Sequence, residues 1–99
     1  MFDWEKYSRT PLAEGKYLMY KNRPLVRQGD TICYGDMTEK YILVMEIMSY
    51  KEDLPDQILV QILESQNQSK IIRQDFAKGL HEAFSNGVKW LEFALAQHD

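Results

Sequence analysis

Short runs of alternating apolar and polar residues, separated by turn residues, fill the chain between residues 16 and 74. The most apolar run is YILVMEIMSY, residues 41–50, and a second long run covers residues 57–64. Because neighbouring side chains of a strand point to opposite faces, such runs are typical of half-buried strands. The connecting segments are too short for crossovers, so the pattern predicts an antiparallel meander of about five strands.

The pattern changes after this region, and apolar residues then recur every three or four positions, as in an amphipathic helix. These positions are Phe76, Leu80, Ala83, Phe84, Gly87, Val88, Leu91 and Leu95. The spacing predicts one long helix over residues 75–97, with Asp75 as its N-cap. A break into two helices at Asn86-Gly87 is the alternative. A ladder of small side chains suggests that the helix lies close to the sheet, and its members are Gly79, Ala83 and Gly87.

These elements together predict a single α+β domain over residues 1–99, in which the C-terminal helix packs on one face of the sheet. Before the sheet, the sequence predicts a short helix or arm. Lys21-Asn22-Arg23 is predicted to form a turn. The charged segment 51–56 contains Pro55 and is predicted to be a solvated loop.

Alternation divides the two central strands into one wholly apolar face and one mixed face. The apolar face contains Leu43, Met45, Ile47, Ile58, Val60 and Ile62, and we expect it to lie under the helix. The mixed face contains Ile42, Val44, Glu46, Met48, Leu59, Gln61 and Leu63. A fully solvated face would not need so many aliphatic side chains, whereas a dry core would not hold an unpaired carboxylate.

The mixed face therefore predicts an intermediate environment, with Glu46 and Gln61 near the rim of a covered surface. A second copy of the chain or another protein is one cover that fits this description. Residues 2–14, which include Phe2 and Trp4, are the alternative cover. The sequence leaves both possibilities open.

Composition narrows the class of protein. The 99 residues carry a formal net charge of −3, which provides no global attraction to nucleic acid or to anionic lipid. Cys33 is the single cysteine, so no disulfide can form within the chain, as is typical of a reducing compartment. No apolar run approaches the roughly 20 residues that span a bilayer, and the N-terminus does not resemble a signal peptide. We expect a complete cytoplasmic protein.

The sequence offers no readable constellation of catalytic or metal-binding residues. Cys33 lies in an alternating strand, where a buried structural thiol is the common case. His81 lacks a second ligand one helical turn away, and His98 is the penultimate residue. The isolated turn glycines, Gly29 and Gly35, do not form a phosphate-binding loop. We therefore assign no catalytic, metal-binding or cofactor-binding residue.

A basic and aromatic segment supports an alternative function. It contains Lys16, Tyr17, Tyr20, Lys21, Arg23 and Arg27, with no acidic residue between the first and the last. Basic side chains combined with aromatic rings are typical of sheets that bind single-stranded nucleic acid. A solvated hairpin that attracts acidic residues of the same or another molecule accounts for the same pattern, and we favour that interpretation.

The stretches GKYLMYKNRPLVRQGDTICYGD, residues 15–36, and KYILVMEIM, residues 40–48, resemble small proteins of unknown function from Gram-positive anaerobic bacteria. This resemblance implies a bacterial cytosolic origin and carries over no catalytic residue.

The sequence as a whole favours a non-enzymatic domain that associates with itself or with another protein through the mixed face. A single-stranded nucleic-acid-binding module is one alternative. A small-ligand binder or an enzyme without a recognisable motif is the other.

Overall fold

The computed structural model describes residues 17–97 of the chain. They form eight strands and one helix: β1 Tyr17–Tyr20, β2 Arg23–Gln28, β3 Thr31–Tyr34, β4 Tyr41–Ile47, β5 Tyr50–Lys51, β6 Leu54–Pro55, β7 Gln57–Glu64, β8 Ile71–Lys78 and α1 Gly79–Gln97. The predicted α+β architecture, an antiparallel sheet packed on one face by a C-terminal helix, is confirmed. The predicted N-terminal helix or arm lies outside the described residues.

The main sheet has six strands in the order β1-β2-β3-β4-β7-β8, all antiparallel to their neighbours. The small hairpin β5–β6 is inserted between β4 and β7. It replaces the solvated loop predicted for residues 51–56. Glu52 and Asp53 at its tip have φ of 51° and 68°, a pair of left-handed residues that closes a two-residue hairpin.

The first hairpin is built in the same way. Lys21 and Asn22 have φ of 51° and 65° and join β1 to β2. Two consecutive residues with positive φ match the right-handed twist of the strands they connect. The predicted turn is confirmed at these two positions, whereas Arg23 is the first residue of β2.

The helix begins later than the sequence predicts. The expected start at Asp75 is wrong, because β8 continues to Lys78 and pairs with β7 along the way. Asp75 lies opposite Val60, and its carboxylate accepts a hydrogen bond only from the adjacent Phe76 N–H at 2.8 Å. Continued pairing satisfies the backbone groups of the eight-residue strand β7, which outweighs the local helical pattern.

The chain turns into α1 at Gly79, whose φ is 80°. Its N–H donates to the Asp56 carbonyl at 2.7 Å, so the turn is tied to the start of β7. A carboxylate oxygen of Glu82 accepts a hydrogen bond from the Lys78 N–H at 3.2 Å. Glu82, and not Asp75, is therefore the acidic side chain that accepts a hydrogen bond from a backbone N–H at the start of the helix.

The helix is continuous across Asn86-Gly87, as predicted. The ladder of small residues is confirmed at Ala83 and Gly87, which are both buried. A Cβ at Gly87 would lie 2.7 Å from Leu43 Cδ1, so the backbone of α1 touches the sheet there. Gly79, the first residue of the helix, does not belong to this contact, because nothing lies within 4 Å of a Cβ there.

The predicted apolar face is also confirmed. The register pairs Leu43 with Ile62, Met45 with Val60 and Ile47 with Ile58, and all six side chains are buried. They pack in one cluster with α1, which contributes Ala83, Val88 and Leu91. Burial of each large aliphatic side chain contributes about 1.5–3 kcal/mol before the ordering entropy is subtracted. Within the described part of the chain, no helix has the length and apolar content needed to cross a membrane.

Candidate functional site

The face of the sheet turned away from α1, here called the second face, holds the predicted interface residues. The register pairs Ile42 with Leu63, Val44 with Gln61 and Glu46 with Leu59. These six residues therefore share one face, as expected from the alternation. Met48, the seventh, follows the end of β4 and is 56% exposed.

Burial divides this set into two parts. Ile42, Val44 and Leu63 are buried and form a second cluster with Cys33, against which Met37 packs. Glu46, Leu59 and Gln61 are only partly buried. The surface that the second face offers is therefore smaller than its apolar content indicates. It lies at the end that contains Glu46 and toward β8. The alternative cover, residues 2–14, lies outside the described residues.

Glu46 stands in this partly exposed row, between Thr31 on β3 and Leu59 on β7. Its position explains how a carboxylate fits into the most apolar stretch of the chain, because it lies at the border of the buried cluster. Burial, and to a smaller extent the charge of Glu46, raises the pKa of the Cys33 thiol far above its ordinary value. Cys33 is therefore a protonated structural thiol and not a nucleophile at neutral pH.

A surface that the sequence did not predict lies along β8. Residues 71–76 of this strand are all exposed. The large apolar side chains among them, together with Phe93 on α1, are Ile71 at 45%, Ile72 at 39%, Phe76 at 54% and Phe93 at 62% exposure. Among the described residues, no strand pairs with the outer side of β8, which ends the sheet. We call strand Ile71–Lys78 with its outer backbone groups the β8 edge.

The apolar side chains flank the β8 edge on both faces. Phe76 lies on the second face opposite Leu59, so the row Glu46–Leu59–Phe76 runs from the rim of the buried cluster to the edge. On the helix side, a groove of about 250 Å³ adjoins the strand and is lined by residues that include Ile72, Trp90 and Phe93. The sequence missed this surface because residues from 75 onward followed a helical period. The length of β7 was the available signal, since an eight-residue strand needs a partner of similar length.

The basic segment at the opposite edge is occupied by contacts within the chain. Arg23 donates two hydrogen bonds to Glu39, at 2.7 and 3.0 Å. Lys21 lies 3.3 Å from a Glu92 oxygen. The Arg27 side chain donates to the Gly29 carbonyl at 2.9 Å. These contacts favour the interpretation of the segment as a hairpin that binds acidic groups of its own molecule.

The aromatic members of that segment have similar constraints. The Tyr20 ring packs 5.2 Å from Phe84 and 5.9 Å from Tyr34, measured between centroids. The Lys21 amine lies over the Tyr20 ring, 5.6 Å from its centroid, so this ring already contacts three side chains of its own molecule. Lys16 and the side chain of Tyr17 lie outside the described residues.

Two further pKa shifts have structural causes. Hydrogen bonds from the Thr38 N–H and hydroxyl lower the pKa of Asp36, which anchors the loop between β3 and β4. A hydrogen bond to the Asp30 carboxylate raises the pKa of Tyr50, and this contact ties the β5–β6 hairpin to the turn before β3. Both groups hold loops together and stand apart from the second face.

A groove of about 480 Å³ lies between α1 and the β1–β2 turn, with His81, Ser85 and Lys89 among its lining residues. His81 and Ser85 are both exposed, so the groove encloses neither side chain. Nothing in the 17–97 range brings together three metal-ligating side chains.

No protein-family model, curated protein or solved structure matches this chain. The resemblance of residues 15–36 and 40–48 to small bacterial proteins stays a prediction.

Proposed function

We propose that this chain is a non-enzymatic protein-interaction domain that associates with a second copy of itself through the β8 edge and the adjoining part of the second face. The observation that carries the proposal is the concentration of exposed apolar side chains around one unpaired strand. Ile71, Ile72 and Phe76 belong to β8, and Phe93 lies beside it on α1. Exposed apolar clusters of this kind mark interaction surfaces.

The backbone of β8 supports the same proposal. The outer side of this edge strand presents backbone groups that another strand can satisfy, among them the Gln74 N–H and C=O. The outward N–H groups of Phe76 and Lys78 already donate to the Asp75 and Glu82 carboxylates. Native proteins commonly protect such edges with inward-pointing charges, proline or short strand length. β8 is long and contains no proline. It does carry two charges on the side that faces α1, Arg73 and Asp75, and a β-bulge opposite Ile62–Leu63, but the two charges are of opposite sign and can pair with those of a second copy. A partner strand would both satisfy these groups and cover the apolar side chains next to them.

The interface predicted from the sequence is retained in part by this proposal. Leu59 and Gln61 of that set lie one strand away from the edge, beside Phe76 and Gln74 respectively. Ile42, Val44 and Leu63 support the surface from within the second cluster instead of contacting a partner. Glu46 lies two strands from the edge, at the other end of the row.

The test is the solution mass of the purified protein, measured by light scattering on a sizing column over a wide range of concentration. We expect the mass of two chains at high concentration and dissociation on dilution. Phe76→Glu should weaken the dimer by about tenfold or more, because it places charge in an apolar contact. Leu54→Glu is the matched control, since Leu54 is 69% exposed on the distant β5–β6 hairpin.

A monomer at every concentration would refute the proposal, and so would equal effects of the two glutamates. Glu46→Arg separates an edge contact from a contact across the whole second face. Association through the edge leaves the dimer of this variant intact. Face-to-face association weakens it, and that result would move the contact back to the face predicted from the sequence.

A further inference from the structure

The pairing of β7 with β8 determines which backbone groups of the β8 edge point outward. The Gly79 N–H donates to the Asp56 carbonyl, and the register continues from Gln57 opposite Lys78. Hydrogen-bonded and non-hydrogen-bonded pairs alternate along an antiparallel ladder. Residues 73, 75 and 77 therefore direct their N–H and C=O groups toward β7. Residues 74, 76 and 78 direct theirs to the free side, where the Phe76 N–H donates to Asp75 and the Lys78 N–H to Glu82. A β-bulge between Ile71 and Arg73 ends this regular alternation.

Two opposite charges flank Gln74 on this strand. Arg73 lies opposite Ile62 and Asp75 opposite Val60, so both are on the side of the sheet that faces α1. Among the described residues, neither has an ion-pair partner. The Arg73 guanidinium lies over the Trp90 ring at 4.0 Å from its centroid. Such stacking uses the face of the guanidinium and leaves N–H groups at its edge available to a carboxylate.

We propose that two copies of this chain pair antiparallel through β8, with the twofold axis at Gln74. This inference rests on the proposed function and names the register of that self-association. Gln74 then lies opposite Gln74 of the second copy, and their outward backbone groups exchange two hydrogen bonds. Arg73 lies opposite Asp75 of the second copy, and the twofold axis repeats this pair. Arg73 and Asp75 are in the non-hydrogen-bonded positions, where side chains of paired strands are closest.

Neighbouring registers are less favourable. An axis at Arg73 or at Asp75 places like charges directly opposite each other, which destabilises paired strands. An axis at Phe76 pairs only the last part of the strand and leaves Arg73 beyond it. Of the three outward residues 74, 76 and 78, Gln74 is also the one whose N–H does not already donate to a carboxylate.

The β-bulge between Ile71 and Arg73 limits the regular pairing to the residues around Gln74. Apolar contacts add to the pairing on both faces. Phe76 flanks the axis on the second face, and the groove lined by Ile72, Trp90 and Phe93 adjoins it on the helix side.

The first experiment is cross-linking of the full chain through Gln74→Cys. Hydrogen-bonded pairs have Cα atoms about 5.5 Å apart, which is within disulfide range. With oxidised glutathione, we expect this variant to form a covalent dimer at least about tenfold faster than Lys78→Cys, because residues 78 of two copies lie about 26 Å apart in this register. Cys33 does not compete, because it is buried.

The second experiment reverses the charges. Arg73→Asp and Asp75→Arg each create two like-charge contacts across the axis and should weaken the dimer about tenfold, whereas the double variant restores opposite charges and the affinity. Lys51→Glu, on the β5–β6 hairpin, is the control for charge reversal alone. Thermal melting of each variant at low concentration separates a loss of pairing from a loss of the Arg73–Trp90 contact.

The outcomes distinguish the register from the function. Suppose that the wild type is a dimer. If Gln74→Cys then forms the covalent dimer no faster than Lys78→Cys, or if the double variant associates as weakly as the single variants, the register is wrong and self-association stands. If the wild type is a monomer and the Gln74→Cys variant forms no covalent dimer, both the register and the proposed function are wrong. Rapid linking of Gln74→Cys together with rescue in the double variant supports both.

Discussion

Gly87 shows how one residue sets the distance between helix and sheet. A Cβ at Gly87 would lie 2.7 Å from Leu43 Cδ1, 2.8 Å from Leu43 Cδ2 and 3.2 Å from Val60 Cγ1. Leu43 is itself fully buried, so its side chain has little space into which it can move. The absent side chain at Gly87 therefore allows α1 to rest on the two central strands.

We expect Gly87→Ala to lower the free energy of unfolding by up to about 2 kcal/mol. Overpacking of a core costs about 1–3 kcal/mol, and the roughly 1 kcal/mol by which alanine favours a helix offsets part of this cost. Urea unfolding measures the change. Ser85→Ala, at an exposed position of the same helix, is the control and should be neutral or slightly stabilising. A Gly87→Ala protein as stable as the wild type would show that α1 shifts freely.

The Cys33 thiol predicts a pH dependence of stability. Burial raises its pKa in the folded state, whereas the unfolded thiol titrates near its ordinary value of about 8.5. The unfolded state therefore loses a proton first, and this contribution to stability is complete below pH 8 and lost as the pH rises above about 8.5. Relative to Cys33→Ala, the wild type should lose up to about 1.4 kcal/mol per pH unit between pH 9 and 10.

Urea unfolding of both proteins across pH 7–10 checks this prediction, and the comparison cancels the titration of tyrosine and lysine. Parallel pH curves for the two proteins would contradict it. Alkylation gives an independent check, because a buried protonated thiol should react with iodoacetamide only when the protein unfolds.

The passage from β8 to α1 shows how one element ends and the next begins. β8 ends where β7 can offer no further partner, and the left-handed conformation of Gly79 redirects the chain over the sheet. Nothing within 4 Å would contact a Cβ at Gly79, so a side chain there meets no steric obstacle from its surroundings. The requirement for glycine is conformational.

Gly79→Ala should therefore destabilise the protein by about 1–2 kcal/mol through the cost of positive φ alone. Gly79→Asn is the matched variant and should cost less, because asparagine adopts this conformation more readily. Thermal or urea unfolding of the two variants gives the comparison. Equal stability of Gly79→Ala and the wild type would indicate that the junction adopts another backbone path.

The described residues form a sheet with a helix-covered core and with β8 as a terminal strand. β4 and β7 each have a strand on both sides, whereas β8 pairs only with β7 among the described residues. Protection of backbone amides should follow this arrangement, since edge hydrogen bonds open at lower free energy than central ones.

Hydrogen exchange measured by NMR should therefore depend on protein concentration at selected sites. We expect the outward amide of Gln74 to exchange rapidly in dilute protein and to slow as the dimer forms. The amides of Val44 and Gln61, which pair the central strands β4 and β7, should exchange slowly at every concentration. If the Gln74 amide exchanges at the same rate at a concentration where the protein is a dimer, the dimer contact lies elsewhere on the molecule.

The sequence by itself determined the class of fold, the two faces of the central strands and the continuity of the helix. These features depend on local periodicity, which survives in any register: Leu43, Met45 and Ile47 alternate with Ile42 and Val44 whatever lies beside them. The turn at Lys21-Asn22 and the contact of Gly87 with the sheet were also readable, because turn residues and small-residue ladders have local meanings.

Only the tertiary structure decided where β8 ends and which surface is exposed. Asp75 and Phe76 fit a helix by local pattern, but pairing with Val60 and Leu59 holds them in the sheet. The same long-range pairing places Phe76 at the surface and sets Arg73 and Asp75 on either side of Gln74. An interaction surface depends on which strands are neighbours and which lie at an edge, and residues far apart in the chain settle both.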